Sequence, residues 1–155
     1  AGGYIVPFMD ALYKRQDEIK THVCYNEQGC ALAAVGFART SGKMGVYFTT
    51  SGPGAVNALG GLADAWFDGF PLMGICGNVP TNEMKGFSGI RQNGFQEMDI
   101  VSMTRNITKY SVTANSTEGF PDITSRAYNM AMLGRKGGVI IDFPLDIQQA
   151  DIIGG

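Results

Sequence analysis

Val46-Tyr47-Phe48-Thr49-Thr50, followed by Ser51-Gly52-Pro53-Gly54 and then by Ala55 to Phe67, is the stretch that decides the fold. The first five residues are all β-branched or aromatic and favour an extended strand. Ser51 to Gly54 turns the chain, and Pro53 is suited to the opening of a helix. The small and apolar residues from Ala55 to Phe67 then suit a helix that is buried. Strand, tight turn and helix together make one half of a βαβ unit.

The same succession extends outward in both directions. Upstream, Ile19, Thr21, Val23 and Tyr25 alternate with more polar neighbours, which predicts a strand. That strand feeds an Ala-rich helix over Glu27–Arg39, closed by Ser41-Gly42. Ahead of it, Ile5, Phe8, Met9 and Leu12 stand at helical spacing within Tyr4–Tyr13, and Lys14 to Asp17 makes a polar stop. Downstream, Leu72–Cys76 reads as a short buried strand and Asn78–Gly94 as a long loop. Loops of that length in compact domains are commonly functional. Thr108–Thr113 reads as a strand, Pro121–Leu133 as a helix and Val139–Phe143 as a last buried strand.

Such alternation predicts an α/β fold: a doubly wound, mainly parallel sheet with helices on both faces, joined by right-handed crossovers. The chain opens on Ala1-Gly2-Gly3 and a helix, where a doubly wound sheet calls for a strand, so a first strand is expected to be missing. Residues 1–150 are then one N-terminally truncated domain, and 151–155 the start of a linker.

Composition bounds the function. The chain has 155 residues, 16.6 kDa, the size of one domain. Its formal charge of -2, with no basic stripe, argues against nucleic acid as a partner. Gly, Pro or a charged residue interrupts every apolar run before it could cross a membrane, and no leader is visible, so a cytoplasmic chain is expected. Cys24, Cys30 and Cys76 are an odd set without a CxxC pair and read as reduced core thiols. His22 is the single histidine, so nucleophile–His pairs and His-rich zinc sites lose support, and no metal ligands are assigned in this chain. Gly36 to Lys43 imitates a phosphate-binding loop, but the glycine spacing is one too long and Met44 stands where Ser or Thr is required.

Two strand–helix junctions remain, and ligands gather beyond the carboxyl ends of parallel strands. Glu27 lies at one, where it is either a functional acid or a first-turn carboxylate favoured by the helix dipole. Ser51 to Gly54 lies at the other, either a plain tight turn or a bare backbone surface for a flat ligand.

Taken in order, several blocks resemble the pyrimidine-binding domain of thiamine diphosphate enzymes, in particular the acetolactate (acetohydroxyacid) synthase group. They are Asn26-Glu27-Gln28-Gly29-Cys30-Ala31, Gly36-Phe37-Ala38-Arg39, Thr50 to Asn57, Ala65 to Leu72, Gly94 to Ile100, Thr108 to Val112 and Asp142 to Gln148. The resemblance implies that Glu27 exchanges a proton with N1' of the cofactor's aminopyrimidine, which favours the tautomer that activates the thiazolium carbon. A carboxyl against an aromatic ring in a dry cleft is expected to have a raised pKa. By the same resemblance Ser51, Gly52, Pro53, Gly54 and Asn57 hold the pyrimidine, while Phe95 and Gln96 reach toward the substrate side.

The resemblance further implies decarboxylation of pyruvate or another 2-keto acid and carboligation to a second keto acid, as in branched-chain amino acid biosynthesis. It implies Mg²⁺ held by a domain outside this chain, FAD as a possible further cofactor of a longer protein, and a homodimer or homotetramer with the cofactor at the subunit interface. The chain alone is then expected to be inactive. Leu145 departs from the pattern, standing where this group has Lys. Two other readings stay open: a separate subunit of a two-chain 2-keto acid decarboxylase, and a non-catalytic assembly module.

Overall fold

Residues 2–86 and 88–151 are described by a computed structural model. In chain order they form α1 (Val6–Lys14), α2 (Glu27–Ser41), β1 (Gly45–Thr49), α3 (Pro53–Asn57), α4 (Leu59–Asp68), β2 (Leu72–Asn78), α5 (Ile100–Thr104), β3 (Tyr110–Thr113), α6 (Phe120–Met132), β4 (Gly138–Pro144) and α7 (Leu145–Gln149). The strands make one sheet in the order β1-β2-β4-β3, and every neighbouring pair is parallel. This is the expected doubly wound α/β arrangement.

Alternation along the strands divides the core between the two faces. Leu72, Cys76 and Ile140 join Tyr47 beneath α2 and α4, with Ala31, Val35, Leu62 and Ala65. Met73, Ile75, Val139, Ile141 and Phe143 face the other way, toward Ala127 and Ala131 of α6 and Phe8 of α1. Both faces of β2 and β4 are therefore apolar, as a central parallel strand requires. Ala58, Leu62 and Ala65 are fully buried and form core, not a free surface. α4 can come this close to α2 because Gly61 lacks a side chain: a Cβ there would lie 2.5 Å from Ala31 Cβ.

Three expectations need correction. The predicted strand through Ile19, Thr21, Val23 and Tyr25 does not form; the segment has no ladder, and Val23 is 90% exposed. Alternation supplies a strand's faces, but only a neighbouring strand supplies its hydrogen bonds. The helix expected over Ala55–Phe67 is two helices, because the chain steps at Ala58, whose N–H returns to Ala55 O. Of the cysteines, only Cys76 is a core thiol; Cys24 and Cys30 are half-buried, and all three are free. The expected linker from Asp151 onward falls almost wholly outside the described residues.

The long connection after β2 holds a short 3-10 turn at Thr81–Glu83 and α5. Its loop is tied by Glu97, whose carboxylate accepts from Lys85 N–H at 2.6 Å and Asn93 N–H at 2.8 Å. α5 starts where Asp99 accepts from Ser102 N–H at 2.9 Å. α5 and α7 span five residues each, too short for periodicity to announce them.

Candidate cofactor site

The start of α2 is set by Asn26, which is extended and whose side-chain oxygen accepts from Gly29 N–H at 2.6 Å. Glu27 is thereby the first residue of the helix. Its carboxylate turns toward α3, where Asn57 Nδ2 donates to Oε2 at 2.8 Å. Residues thirty apart in sequence meet because β1 carries the chain to the same end of the sheet as the start of α2.

β1 gives way to the turn Thr50-Ser51-Gly52, and Pro53 opens α3. Gly52 has φ 59° and ψ -126°, a backbone conformation that side chains resist. A Cβ on it would lie 2.6 Å from the carbonyl oxygen of Gln96, so the loop and the turn touch backbone to backbone. At Gly54 a Cβ would lie 2.8 Å from Thr50 Cγ2 and 3.3 Å from Glu27 Oε1. Ser51 is buried, and its hydroxyl has no hydrogen-bond partner.

Glu27, Gly54 and Asn57 thus share one site, with Ser51, Gly52 and Pro53 forming its adjoining turn. Gln96 reaches that turn through its main chain and itself has φ 55°. Phe95 is 68% exposed on the same loop, with its ring largely outside the packing. Both lie beside the site without bonding to Glu27.

With no aromatic ring against it among the described residues, Glu27 has the opposite shift to the one expected of a covered carboxyl. Its carboxyl sits below the ordinary range, first because Asn57 donates to it and next because of a backbone N–H; desolvation opposes this more weakly. The raised value expected of a dry cleft required an aromatic face against the carboxyl, and in this chain the group is only half-buried.

Several contributors escaped the sequence reading. Thr50 packs against Gly54 and also against Gly2, where a Cβ would lie 2.7 Å from Thr50 Oγ1, so the N-terminal turn closes on the site. Behind it, Asp142 is buried at the strand ends, accepting from Asn78 Nδ2 at 2.9 and 3.0 Å and from Thr113 Oγ1 at 3.0 Å. Desolvation pushes its carboxyl up to about 6. A lone acid inside an otherwise apolar strand, Ile140-Ile141-Asp142-Phe143, was the available signal. Among the described residues no group of His, Cys, Asp and Glu is placed to hold a metal ion, and no helix is long and apolar enough to cross a membrane.

Comparison with known proteins identifies the family. The family described as thiamine pyrophosphate enzyme, N-terminal TPP binding domain, matches residues 1–103. Over 149 residues the chain is 42% identical to the acetolactate synthase isozyme 2 large subunit of Escherichia coli (strain K12), a match covering 96% of this chain and 26% of that protein. It is 40% identical over 149 residues to the mitochondrial acetolactate synthase catalytic subunit of Saccharomyces cerevisiae, covering 96% and 21%. It is 43% identical over 148 residues to the chloroplastic acetolactate synthase of Arabidopsis thaliana, covering 96% and 21%. The chain spans about a quarter of the length of these relatives. With a carboxylate at the start of α2 facing a bare glycine turn, and with that similarity across nearly all of its length, the chain belongs to the thiamine pyrophosphate enzyme family, as an acetolactate-synthase-like N-terminal TPP-binding domain.

Proposed function

We propose that this domain supplies the cofactor-activating acid of an acetolactate-synthase-like carboligase, which decarboxylates a 2-keto acid such as pyruvate and joins the remainder to a second keto acid. The observation that carries this is the Glu27 carboxylate, held by Asn57 beside the side-chain-free Gly54. These residues fit an aminopyrimidine. Gly54 leaves Oε1 uncovered on one side, and the Ser51 hydroxyl is buried without a partner.

Thiamine diphosphate, when bound, supplies an electron sink for the carbon–carbon bond broken in a 2-keto acid. What this chain contributes is a proton carrier and a surface. Glu27 can take and return a proton at a ring nitrogen, which an amide of the same shape cannot do. Gly52, Pro53 and Gly54 present backbone to the ring, Asn57 lies at its edge, and the loop bearing Phe95 and Gln96 borders the side from which substrate enters.

The wider reading belongs to the same proposal. Mg²⁺ and the diphosphate are held by another domain, FAD is a further cofactor in this group, and a homodimer or homotetramer completes the site. The chain by itself is then inactive, and the pathway served is branched-chain amino acid synthesis in the cytoplasm. Glu27→Gln in the complete protein carrying this domain tests the central claim. Thiamine diphosphate-dependent turnover of pyruvate is expected to fall at least about 100-fold, with circular dichroism and denaturation midpoint unchanged. Turnover at the parent level would remove the catalytic role of Glu27.

A further inference from the structure

We propose that Asn57 is a positioning residue for Glu27, and that it divides the two carboxylate oxygens between tasks: Oε2 is held and Oε1 is presented to the ligand. The proposal rests on the functional reading above and extends it. Asn57 Nδ2 lies 2.8 Å from Oε2, whereas Oε1 is the oxygen on the side of Gly54, where the backbone carries no side chain.

The arrangement is directional. Glu27 is on α2 and Asn57 is the last residue of α3, so the bond ties two separately placed helices and fixes the rotation of the carboxylate. A free Glu side chain has several rotamers, and holding one oxygen removes most of that freedom. An amide N–H donates and cannot accept, so the oxygen it occupies favours the ionised state. Protonation therefore falls on Oε1, the oxygen facing the bare turn. Asn57 has no proton of its own to exchange, and its effect reaches the ligand through Glu27.

The charged and titratable surroundings leave Glu27 as the group that such a pH dependence reports. The turn before α3 and α3 itself carry no ionisable residue. Neither Asp64 nor Asp68 of α4 shifts Glu27. Cys30, on the next turn of α2, has its thiol pushed up by burial, then by Cys24 and Glu27, and is uncharged where Glu27 titrates. Cys24 stands just ahead of the helix.

The test uses Asn57→Ala, Asn57→Ser and Asn57→Asp in the complete protein, with Glu27→Gln as reference. Two quantities are followed against pH: thiamine diphosphate affinity with Mg²⁺, by calorimetry, and kcat and KM for pyruvate. Asn57→Ala is expected to lower kcat about 10- to 100-fold with little change in KM. It should also move both the acid limb of kcat/KM and the break in affinity to higher pH. Asn57→Ser keeps a donor and should recover part of both effects, while Asn57→Asp adds a like charge and should move the limb further up. If Asn57→Ala lowers kcat but leaves both pH profiles on those of the parent, Asn57 acts on the cofactor directly and the positioning role is wrong. Turnover surviving in Glu27→Gln would instead overturn the functional reading, and this inference with it.

Discussion

A methyl group on Gly54 would press on Thr50 Cγ2 at 2.8 Å and stand 3.3 Å from Glu27 Oε1. The first neighbour is the methyl of a β-branched side chain, stiff at χ1 and itself packed against Gly2, so the turn must shift to admit it; the second is the oxygen proposed to meet the ligand. Gly54→Ala in the complete protein is therefore expected to cost roughly 1–3 kcal/mol of stability, while weakening thiamine diphosphate binding about tenfold or more by calorimetry. Equal affinity in the variant would mean that the ligand does not approach this glycine. The same scale explains why Glu27 was visible from the sequence and Asn57 only half so. An acid at the start of a helix has a recognisable place, but an exposed Asn at the end of a five-residue helix acquires a role only when α2 is set beside it.

Between elements, α2 and α4 approach closely at Gly61, and adjacent glycines there make opposite predictions. Gly61→Ala would place a Cβ 2.5 Å from Ala31 Cβ and 2.9 Å from Ala31 C, atoms that cannot yield without separating the helices. Overpacking of this kind costs roughly 1–3 kcal/mol, more than Ala regains by its helix propensity. Gly60→Ala meets only Gln28 Nε2 at 3.6 Å, an ordinary distance, and should stabilise by up to about 1 kcal/mol. Urea denaturation of both variants checks the pair; a loss at position 60 equal to that at 61 would contradict the helix-contact account. Element identity was largely legible: all four strands and the α1, α2, α4 and α6 helices lie where patterning predicted them, with ends shifted by a few residues. The failure at residues 19–25 came from reading alternation without asking what strand would pair with it.

At the level of the whole molecule, Asp142 joins three strand ends, since Asn78 belongs to β2, Thr113 to β3 and Asp142 to β4. Its carboxyl is raised from 3.8 to about 6, first by desolvation and further by Asp99 and Glu97, against the hydrogen bonds of Asn78 and Thr113. Because the folded state binds this proton more tightly than the unfolded chain, Asp142 adds stability as pH falls from about 6 toward about 4. The full effect is about 3 kcal/mol. Glu27, Asp99 and Asp146 have lowered values, so the stability they contribute begins to be lost only near the lower edge of that window and goes on being lost beneath it. Asp142→Asn, which keeps the shape and an acceptor for Asn78, is expected to flatten the dependence between pH 7 and 5. Urea midpoints at the two pH values measure it, and an unchanged slope in the variant would assign the effect elsewhere.

The α/β class, the parallel sheet, the two strand–helix junctions and the residue types found there were all legible along the chain, because periodicity, turn chemistry and glycine placement act over short spans. Which of those residues touch was set by the folded arrangement. The Glu27–Asn57 bond, the seating of Gln96 against Gly52 and the Asp142 network each join positions from 29 to 64 residues apart. It also decided the ionisation of Glu27, which depends first on the hydrogen bond donated by Asn57 and also on how far the carboxyl is removed from water, quantities that exist only once α2, α3 and β1 have been brought to one end of the sheet.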